Sequence, residues 1–199
     1  MMQYTLFLVL APIACLVVAG ALVSTYRVRT TREVSTFVLL LCAVEGWLVC
    51  NSLELAAGTE RWTLFWAKVT YLFIATTPVA WLAFMVQYAG KRHWLRSPLY
   101  WLSGVIPTMT LLLVWTNESH RLVWQEARFL PVGQVLALNV IHGPWFWIHV
   151  TQSYAMVLLG TLLVSYSYVG YSPSYRKQLR WFVWGGFVPV VWNLIYVLR

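Results

Sequence analysis

Three ionisable side chains lie inside long apolar stretches, where a charge is costly to keep. Glu45, Glu54 and Lys68 each stand in a segment that is long and apolar enough to cross a bilayer as a helix. An isolated charge within a membrane raises the free energy by several kcal/mol, so each of these groups needs a partner or a function. They are the first candidates for binding or proton chemistry in this chain.

Helical spacing separates the two acids and brings one of them near the lysine. The nine-residue separation, at about 100° per residue, places Glu45 and Glu54 on opposite helix faces. Glu54 lies near the end of one apolar stretch and Lys68 near the start of the next, so antiparallel packing would put them at similar depth. We predict an ion pair between Glu54 and Lys68, which is either purely structural or opened and closed by a ligand. For Glu45 we expect a protonated carboxyl that is hydrogen-bonded to a neighbouring helix backbone.

The same two faces carry further polar side chains. Asn51 precedes Glu54 by three residues, and Tyr71 follows Lys68 by three, so each pair shares a helix face. We interpret Asn51, like Glu45, as a structural polar residue. Tyr71 is a candidate ligand contact, together with Glu54 and Lys68.

A second polar face is expected near the start of the fifth apolar stretch. His149, Gln152 and Ser153 follow the i, i+3, i+4 spacing of one face. In the sixth stretch Asn193 lies one turn after Pro189, which would kink that helix and free a backbone carbonyl. His149, Gln152 and Asn193 are therefore candidate ligand contacts, although such residues also link helices in purely structural roles.

The longest interruption between apolar stretches is the loop 116–144. Connections of this length usually form folded lids or binding elements. Its β-prone runs on both sides of Pro131–Gly133 predict a hairpin over the outer mouth of the bundle, with an irregular interfacial loop as the alternative. Within the loop, His120 and Trp124 are candidate ligand contacts, and Asn117 is interpreted as structural.

Composition places the chain in a membrane. Of its 199 residues 60% are hydrophobic and only 10% are charged, with no Asp, which few soluble domains could accommodate. The +8 net charge does not indicate nucleic-acid binding, because nine of the fourteen Lys and Arg fall in three short connections. By the positive-inside rule these connections are cytoplasmic and the N-terminus is outside.

The fold class that follows is all-α, a polytopic membrane helix bundle with an extracellular β-hairpin-like loop between helices 4 and 5. Residues 1–199 form one transmembrane domain whose six visible spans lie at about 3–25, 34–57, 63–89, 99–115, 145–170 and 179–198. An even number of spans leaves both ends outside, so a cytoplasmic C-terminal domain would need a seventh span.

No pattern of a catalytic or metal site is present in the sequence. There is no Gly-rich phosphate loop, HExxH, CxxC or GxSxG motif, and the three Cys lack metal-ligand spacing. We therefore predict no catalytic residues, no metal and no cofactor for this segment.

Several motifs in order resemble the N-terminal seven-transmembrane sensor region of bacterial membrane histidine kinases. The resemblance covers roughly residues 45–199. The matching residues are Pro78, Trp81, Phe84, Tyr88 and Gly90; Thr116, Asn117, His120 and Trp124; Gly143, Trp147, His149 and Tyr154; and Arg176, Gln178, Pro189, Asn193 and Tyr196.

The resemblance implies a receptor-like bundle in the bacterial cytoplasmic (inner) membrane with a cytoplasmic signalling domain after a seventh helix. This chain departs from that pattern, since neither the seventh helix nor a kinase core is present in it. Any kinase activity would belong to the full-length protein.

We expect a sensory input domain that binds a small extracellular or membrane-borne ligand in the outer half of the bundle. Its expected partners are that ligand, the lipid bilayer and a cytoplasmic output domain, with a second copy of the chain as a further candidate and no nucleic acid. The alternatives are a small-molecule transporter or channel, or a structural membrane assembly partner. The candidate ligand contacts are Glu54, Lys68, Tyr71, His120, Trp124, His149, Gln152 and Asn193.

Overall fold

Helices form nearly all of the architecture, with one small hairpin added. A computed structural model describes residues 2–27, 32–132 and 135–167. The helices are α1 (Met2–Arg27), α2 (Arg32–Ala56), α3 (Glu60–Tyr88), α4 (Pro98–Leu102), α5 (Val105–Trp115), α6 (Asn117–His120) and α7 (Pro144–Ser167), and the strands are β1 (Trp124–Val132) and β2 (Val135–His142). The all-α membrane bundle expected from the sequence is confirmed.

Four helical stretches within the described residues are long and apolar enough to cross a membrane. They are Val34–Ala56, Glu60–Tyr88, Pro98–Trp115 and Pro144–Tyr166. The predicted first span coincides with α1, whereas the predicted sixth span, 179–198, lies outside the described residues.

The helix α3 is the centre of the bundle. In its most apolar window 56% of residues are buried, against 17% to 22% in the other three candidate spans. It packs against α2, α5, α7 and β2, and the Trp81 indole N–H donates to the Val157 carbonyl of α7 over 3.3 Å. Because lipid is as apolar as the side chains, this close packing and such interhelical bonds hold the bundle together.

The fourth span is not one continuous helix. α4 ends at Leu102, and α5 begins at Val105 after Ser103 and Gly104. Pro107 has no N–H, so it cannot donate to the carbonyl of Ser103 four residues earlier. That carbonyl instead accepts the Gln152 Nε2–H of α7 over 2.5 Å. A side chain thus replaces the missing backbone bond and ties α7 to the break.

The predicted hairpin in the long loop is confirmed. β1 and β2 pair antiparallel, from Trp124 opposite His142 to Val132 opposite Val135, with a bulge after Trp124. Pro131 was expected in the turn, but it lies within β1 opposite Leu136. A two-stranded sheet has only edge strands, so the missing N–H of a proline can face away from the partner strand.

The base of the hairpin is closed by a backbone contact that excludes any side chain at Gly143. Gly143 N–H donates to the Val123 carbonyl over 2.8 Å, and Trp145 N–H donates to the Leu122 carbonyl over 2.9 Å. A Cβ at Gly143 would lie 2.2 Å from the Leu122 oxygen, a distance that only backbone movement could relieve.

The hairpin and the basic connections lie at opposite ends of the bundle. The α1–α2 connection and the 3-10 turn Arg92–Arg96 share one end, because α1, α2 and α3 alternate in direction. The hairpin follows α5 and precedes α7 at the other end. The positive-inside rule assigns the basic end to the cytoplasm, so the hairpin faces outward.

We predict that a cell-impermeant maleimide distinguishes the two ends. In a variant whose native Cys are replaced, Arg128→Cys on β1 should be labelled in intact cells. Arg92→Cys in the 3-10 turn should be labelled only after lysis, although both side chains are exposed. The reverse pattern would invert the orientation.

We also predict that Gly143→Ala opens the base of the hairpin. The clash with the Leu122 backbone should lower the thermal midpoint of the detergent-solubilised protein by several degrees. Gly20→Ala is the matched control, since a Cβ at Gly20 meets nothing within 4 Å. Equal midpoints for the two variants would show that the contact is not restrictive.

Candidate functional site

Asn117 fixes the first residues of β1. Its Oδ1 accepts the backbone N–H groups of Val123 over 3.0 Å and of Trp124 over 3.1 Å, and its Nδ2 donates to the Trp124 carbonyl over 2.9 Å. One buried amide therefore bonds the backbone at the start of β1 in the way that a neighbouring strand would, where the chain leaves α6. The result is a fixed position for the Trp124 side chain.

Trp124 connects the loop to the centre of the bundle. Its indole N–H donates to the Tyr71 hydroxyl of α3 over 3.2 Å, and the two rings meet edge to face at 5.4 Å. The Tyr71 ring is in turn 6.5 Å from the imidazole of His149 on α7. All three side chains are buried, so the outer loop, α3 and α7 meet at one place.

The hydrogen bonds of Thr110 determine the tautomer of His149. The Thr110 hydroxyl donates to the Ile106 carbonyl over 2.8 Å and accepts the Trp145 indole N–H over 2.9 Å. His149 Nδ1 lies 3.3 Å from the same oxygen. Since the hydroxyl proton is already used, we assign the ring proton to Nδ1, which donates to Thr110. His149 Nε2 is then a bare acceptor.

The α7 face that carries His149 has three buried polar atoms without a protein partner. They are His149 Nε2, Gln152 Oε1 and Ser153 Oγ, none of which has a hydrogen-bond partner among the described residues. His149 itself is only 2% exposed. Buried polar groups are nearly always hydrogen-bonded, so three such atoms within one helical turn are unusual.

The predicted ion pair between Glu54 and Lys68 is wrong. Lys68 Nζ contacts Glu118 Oε1 of α6 over 2.5 Å and lies 5.9 Å from the centre of the Trp115 ring. The Lys68 side chain is 11% exposed and the Glu118 side chain 61% exposed. The long lysine stem carries its ammonium toward the outer end, where Glu118 keeps most of its hydration.

Lys68 makes Glu118 a stronger acid. Partial burial alone would raise the pKa of the Glu118 carboxyl, but the hydrogen bond from Lys68, a backbone hydrogen bond and the charge of Lys68 outweigh it. The pKa therefore lies below its usual value. The Glu118 carboxyl is therefore ionised at neutral pH, and its contact with Lys68 fixes α6 over the start of α3.

Glu54 and Asn51 are not bonded to this cluster in the part of the chain that the structure describes. Within the described residues neither side chain has a hydrogen bond to the Lys68, Tyr71 or His149 groups. Glu45 faces α1 near Cys15, and its buried Oε2 has no partner in the part of the chain that the structure describes, so the expected backbone bond is not made by that oxygen.

The imidazole of His120 makes its hydrogen bonds to residues of the short connection in which it lies. Its Nδ1 accepts the Leu122 N–H over 3.0 Å, and its Nε2 lies 3.1 Å from the Thr116 hydroxyl. Both ring nitrogens therefore stabilise the connection between α5 and β1. Asn193, the last predicted contact, lies outside the described residues.

Four residues of the site were missed from the sequence: Ser103, Thr110, Glu118 and Trp145. Only Ser103 had a usable signal, since Pro107 four residues later leaves its carbonyl without a donor. Thr110 looks like any apolar-helix threonine, and its role depends on the crossing of α5 with α7. Among the described residues no group of three His, Cys, Asp or Glu side chains is placed to hold a metal ion.

We predict that Glu118→Gln destabilises the protein more than removal of the whole pair. Losing Glu118 leaves a nearly buried ammonium without its counter-charge, at a cost of roughly 1–3 kcal/mol, between exposed and buried pairs. The double variant Glu118→Gln, Lys68→Met should recover part of the thermal midpoint. No recovery in the double variant would contradict the pairing.

The same pair predicts a pH dependence. Because the pKa of Glu118 is lower in the folded protein than in the unfolded chain, its stabilisation is complete above the ordinary carboxyl pKa. It is lost as pH falls through the lowered value. The difference in thermal midpoint between wild type and Glu118→Gln should therefore shrink below about pH 4.5. A constant difference would show that Glu118 does not act through its charge.

Comparison with known proteins identifies the family. A family model described as the N-terminal 7TM region of histidine kinase matches residues 7–199, nearly the whole chain. Searches of curated proteins and of solved structures gave no match. The match includes the part before residue 45, where no resemblance had been noted. The chain belongs to the family of N-terminal 7TM regions of histidine kinases.

Proposed function

We propose that this domain binds a small ligand at its outer end and passes a conformational signal to a cytoplasmic output domain, a histidine kinase, in the bacterial cytoplasmic membrane. Membership of the family supports an input role. The lack of a catalytic motif in the sequence agrees with a domain that senses rather than reacts. The ligand site lies beneath the hairpin, around His149.

The observation that carries this proposal is the buried contact chain from the loop to α7. It runs from Asn117 through Trp124 and Tyr71 to His149, and it ends at polar atoms that have no protein partner among the described residues. Each link is a hydrogen bond or a ring contact between buried residues, and the first of them joins the Asn117 amide to the Trp124 backbone. A ligand at the free atoms would therefore act on a network that joins the loop to three helices.

Transmission requires an element with two arrangements, each of different affinity for the ligand. The break between α4 and α5 is such an element, because a single side-chain bond from Gln152 satisfies the Ser103 carbonyl. The other end of the same amide, Oε1, is one of the free atoms. A ligand that contacts Oε1 would thus change the bond that stabilises the break.

A transporter or channel is less well supported. It would need a polar path to the basic end, but the inner half of the described bundle is mostly apolar, with the hydrogen bond from Thr36 to Gln87 as a polar exception. One cluster joins Leu40 of α2, Met85 of α3 and Val164 of α7, and another joins Val86 to Met156. A structural assembly role would leave the unpartnered polar atoms without a purpose.

The test measures autophosphorylation of the full-length protein in membranes. Tyr71→Phe removes only the hydroxyl that accepts the Trp124 indole N–H. Losing this bond costs about 1 kcal/mol, which shifts a two-state balance roughly fivefold. We expect basal autophosphorylation to change by about that factor. The direction of the change identifies the arrangement that activates the kinase.

Arg128→Ala is the control for this test. Arg128 lies in the same loop region, but its ion pair with Glu126 is on the exposed surface of the hairpin. Such pairs contribute little, so autophosphorylation should stay at the wild-type level. Unchanged output in both variants, with both proteins folded, would refute coupling of this site to the kinase. Absence of any autophosphorylation would refute the kinase output.

A further inference from the structure

We infer that the ligand is an uncharged small molecule that presents at least two hydrogen-bond donors, such as a polyol. This inference rests on the proposed ligand site and specifies its chemistry. The hydrogen bonds that His149 and Gln152 already make within the protein determine which groups the ligand must offer. The charges around this face of α7 determine that the ligand is neutral.

Two of the three free atoms can only accept hydrogen bonds. In the tautomer assigned above, the Nδ1–H of His149 donates to the Thr110 hydroxyl, and Nε2 keeps its lone pair. The Gln152 Nε2–H donates to the Ser103 carbonyl, which fixes the orientation of the amide. Oε1 then has no hydrogen-bond partner among the described residues. A ligand that satisfies both atoms must supply two donors, because an acceptor at either position would be repelled.

The third atom accommodates a hydroxyl. Ser153 Oγ can donate or accept, and it is buried without a partner among the described residues. His149 and Ser153 are one turn apart, about 6 Å along the helix axis. A chain of two to four carbons with neighbouring hydroxyls spans this distance, and each hydroxyl offers both a donor and an acceptor.

The surroundings favour a neutral ligand over a charged one. The nearby cation, Lys68, is already compensated by Glu118. The ring of His149 faces the neutral ring of Tyr71, and its Nδ1 is bonded to the neutral hydroxyl of Thr110. A buried ion needs an opposite charge or several hydrogen bonds, and among the described residues neither an anion nor a cation would find an unpaired counter-charge bonded to these atoms.

The first arm of the experiment asks whether the free atoms belong to a ligand or to the fold. Ser153→Ala removes a buried hydroxyl that has no partner in the part of the chain that the structure describes, so the ligand-free full-length protein should become more stable. The expected rise in thermal midpoint is about 2–4 °C. Ser165→Ala is the control, because Ser165 on the same helix donates to the Thr161 carbonyl over 2.8 Å. A lower midpoint for Ser153→Ala than for the control would assign the hydroxyl a structural role and overturn the inference.

The second arm compares three probes with one carbon frame: neutral glycerol, cationic 2-amino-1,3-propanediol and anionic glycerate. The full-length protein is held in a zwitterionic detergent, so that no sugar headgroup competes. Glycerol should raise the thermal midpoint of wild type more than that of Ser153→Ala, and Ser165→Ala should behave as wild type. The variants also correct for the general stabilisation that polyols give to all proteins.

The outcomes separate the ligand class from the sensor proposal. A larger variant-dependent shift with glycerate or with the amine would overturn the neutral class while leaving a ligand site in place. No variant-dependent shift with any of the three probes would overturn the inferred class as well. Neither result bears on the coupling of the site to the kinase, which the Tyr71→Phe measurement decides by itself.

Discussion

The hydroxyl of Thr110 is the contact on which the site depends. It donates along its own helix to Ile106, and it accepts from Trp145 and His149 on α7. In a membrane, water is absent as an alternative partner, so this allocation of protons is enforced by the fold. It sets the tautomer of His149 and leaves Nε2 bare. A valine of similar shape at this position would remove the acceptor and release both α7 side chains from α5.

The helix α3 divides the bundle into two chemically different halves. Toward the basic end its neighbours are mostly apolar, and Phe84 and Met85 pack against α2 and α7, with one hydrogen bond between Gln87 and Thr36 of α2. Toward the hairpin it presents Lys68 and Tyr71, which are matched by groups from the loop. Polar side chains are expensive within a membrane, so their concentration at one end indicates a site at that end.

The sequence was sufficient for the helices that the structure describes, for the hairpin and for part of the cluster. Apolar length predicts the helices, and the loop motifs predicted a folded lid, because these patterns are local. Tyr71, Trp124 and His149 were selected as buried polar or aromatic groups, and the structure brings them together. Glu118 was missed as the partner of Lys68 because fifty residues separate them. Helical spacing alone could not show that α6 folds back over the start of α3. Glu54 on the neighbouring helix α2 was therefore predicted as the partner of Lys68.

The orientation of the Gln152 amide determines how a ligand at Oε1 would affect the break between α4 and α5. Its Nε2 must face the Ser103 carbonyl, since Pro107 supplies no backbone donor there. A ligand donor at Oε1 is compatible with this orientation and strengthens it, because the two ends of an amide polarise one another. A ligand acceptor would favour the flipped amide, which would set Oε1 against the carbonyl of Ser103 and free the break. A ligand of the proposed class, with donors only at this position, would therefore stabilise the arrangement in which α4 and α5 are fixed to α7.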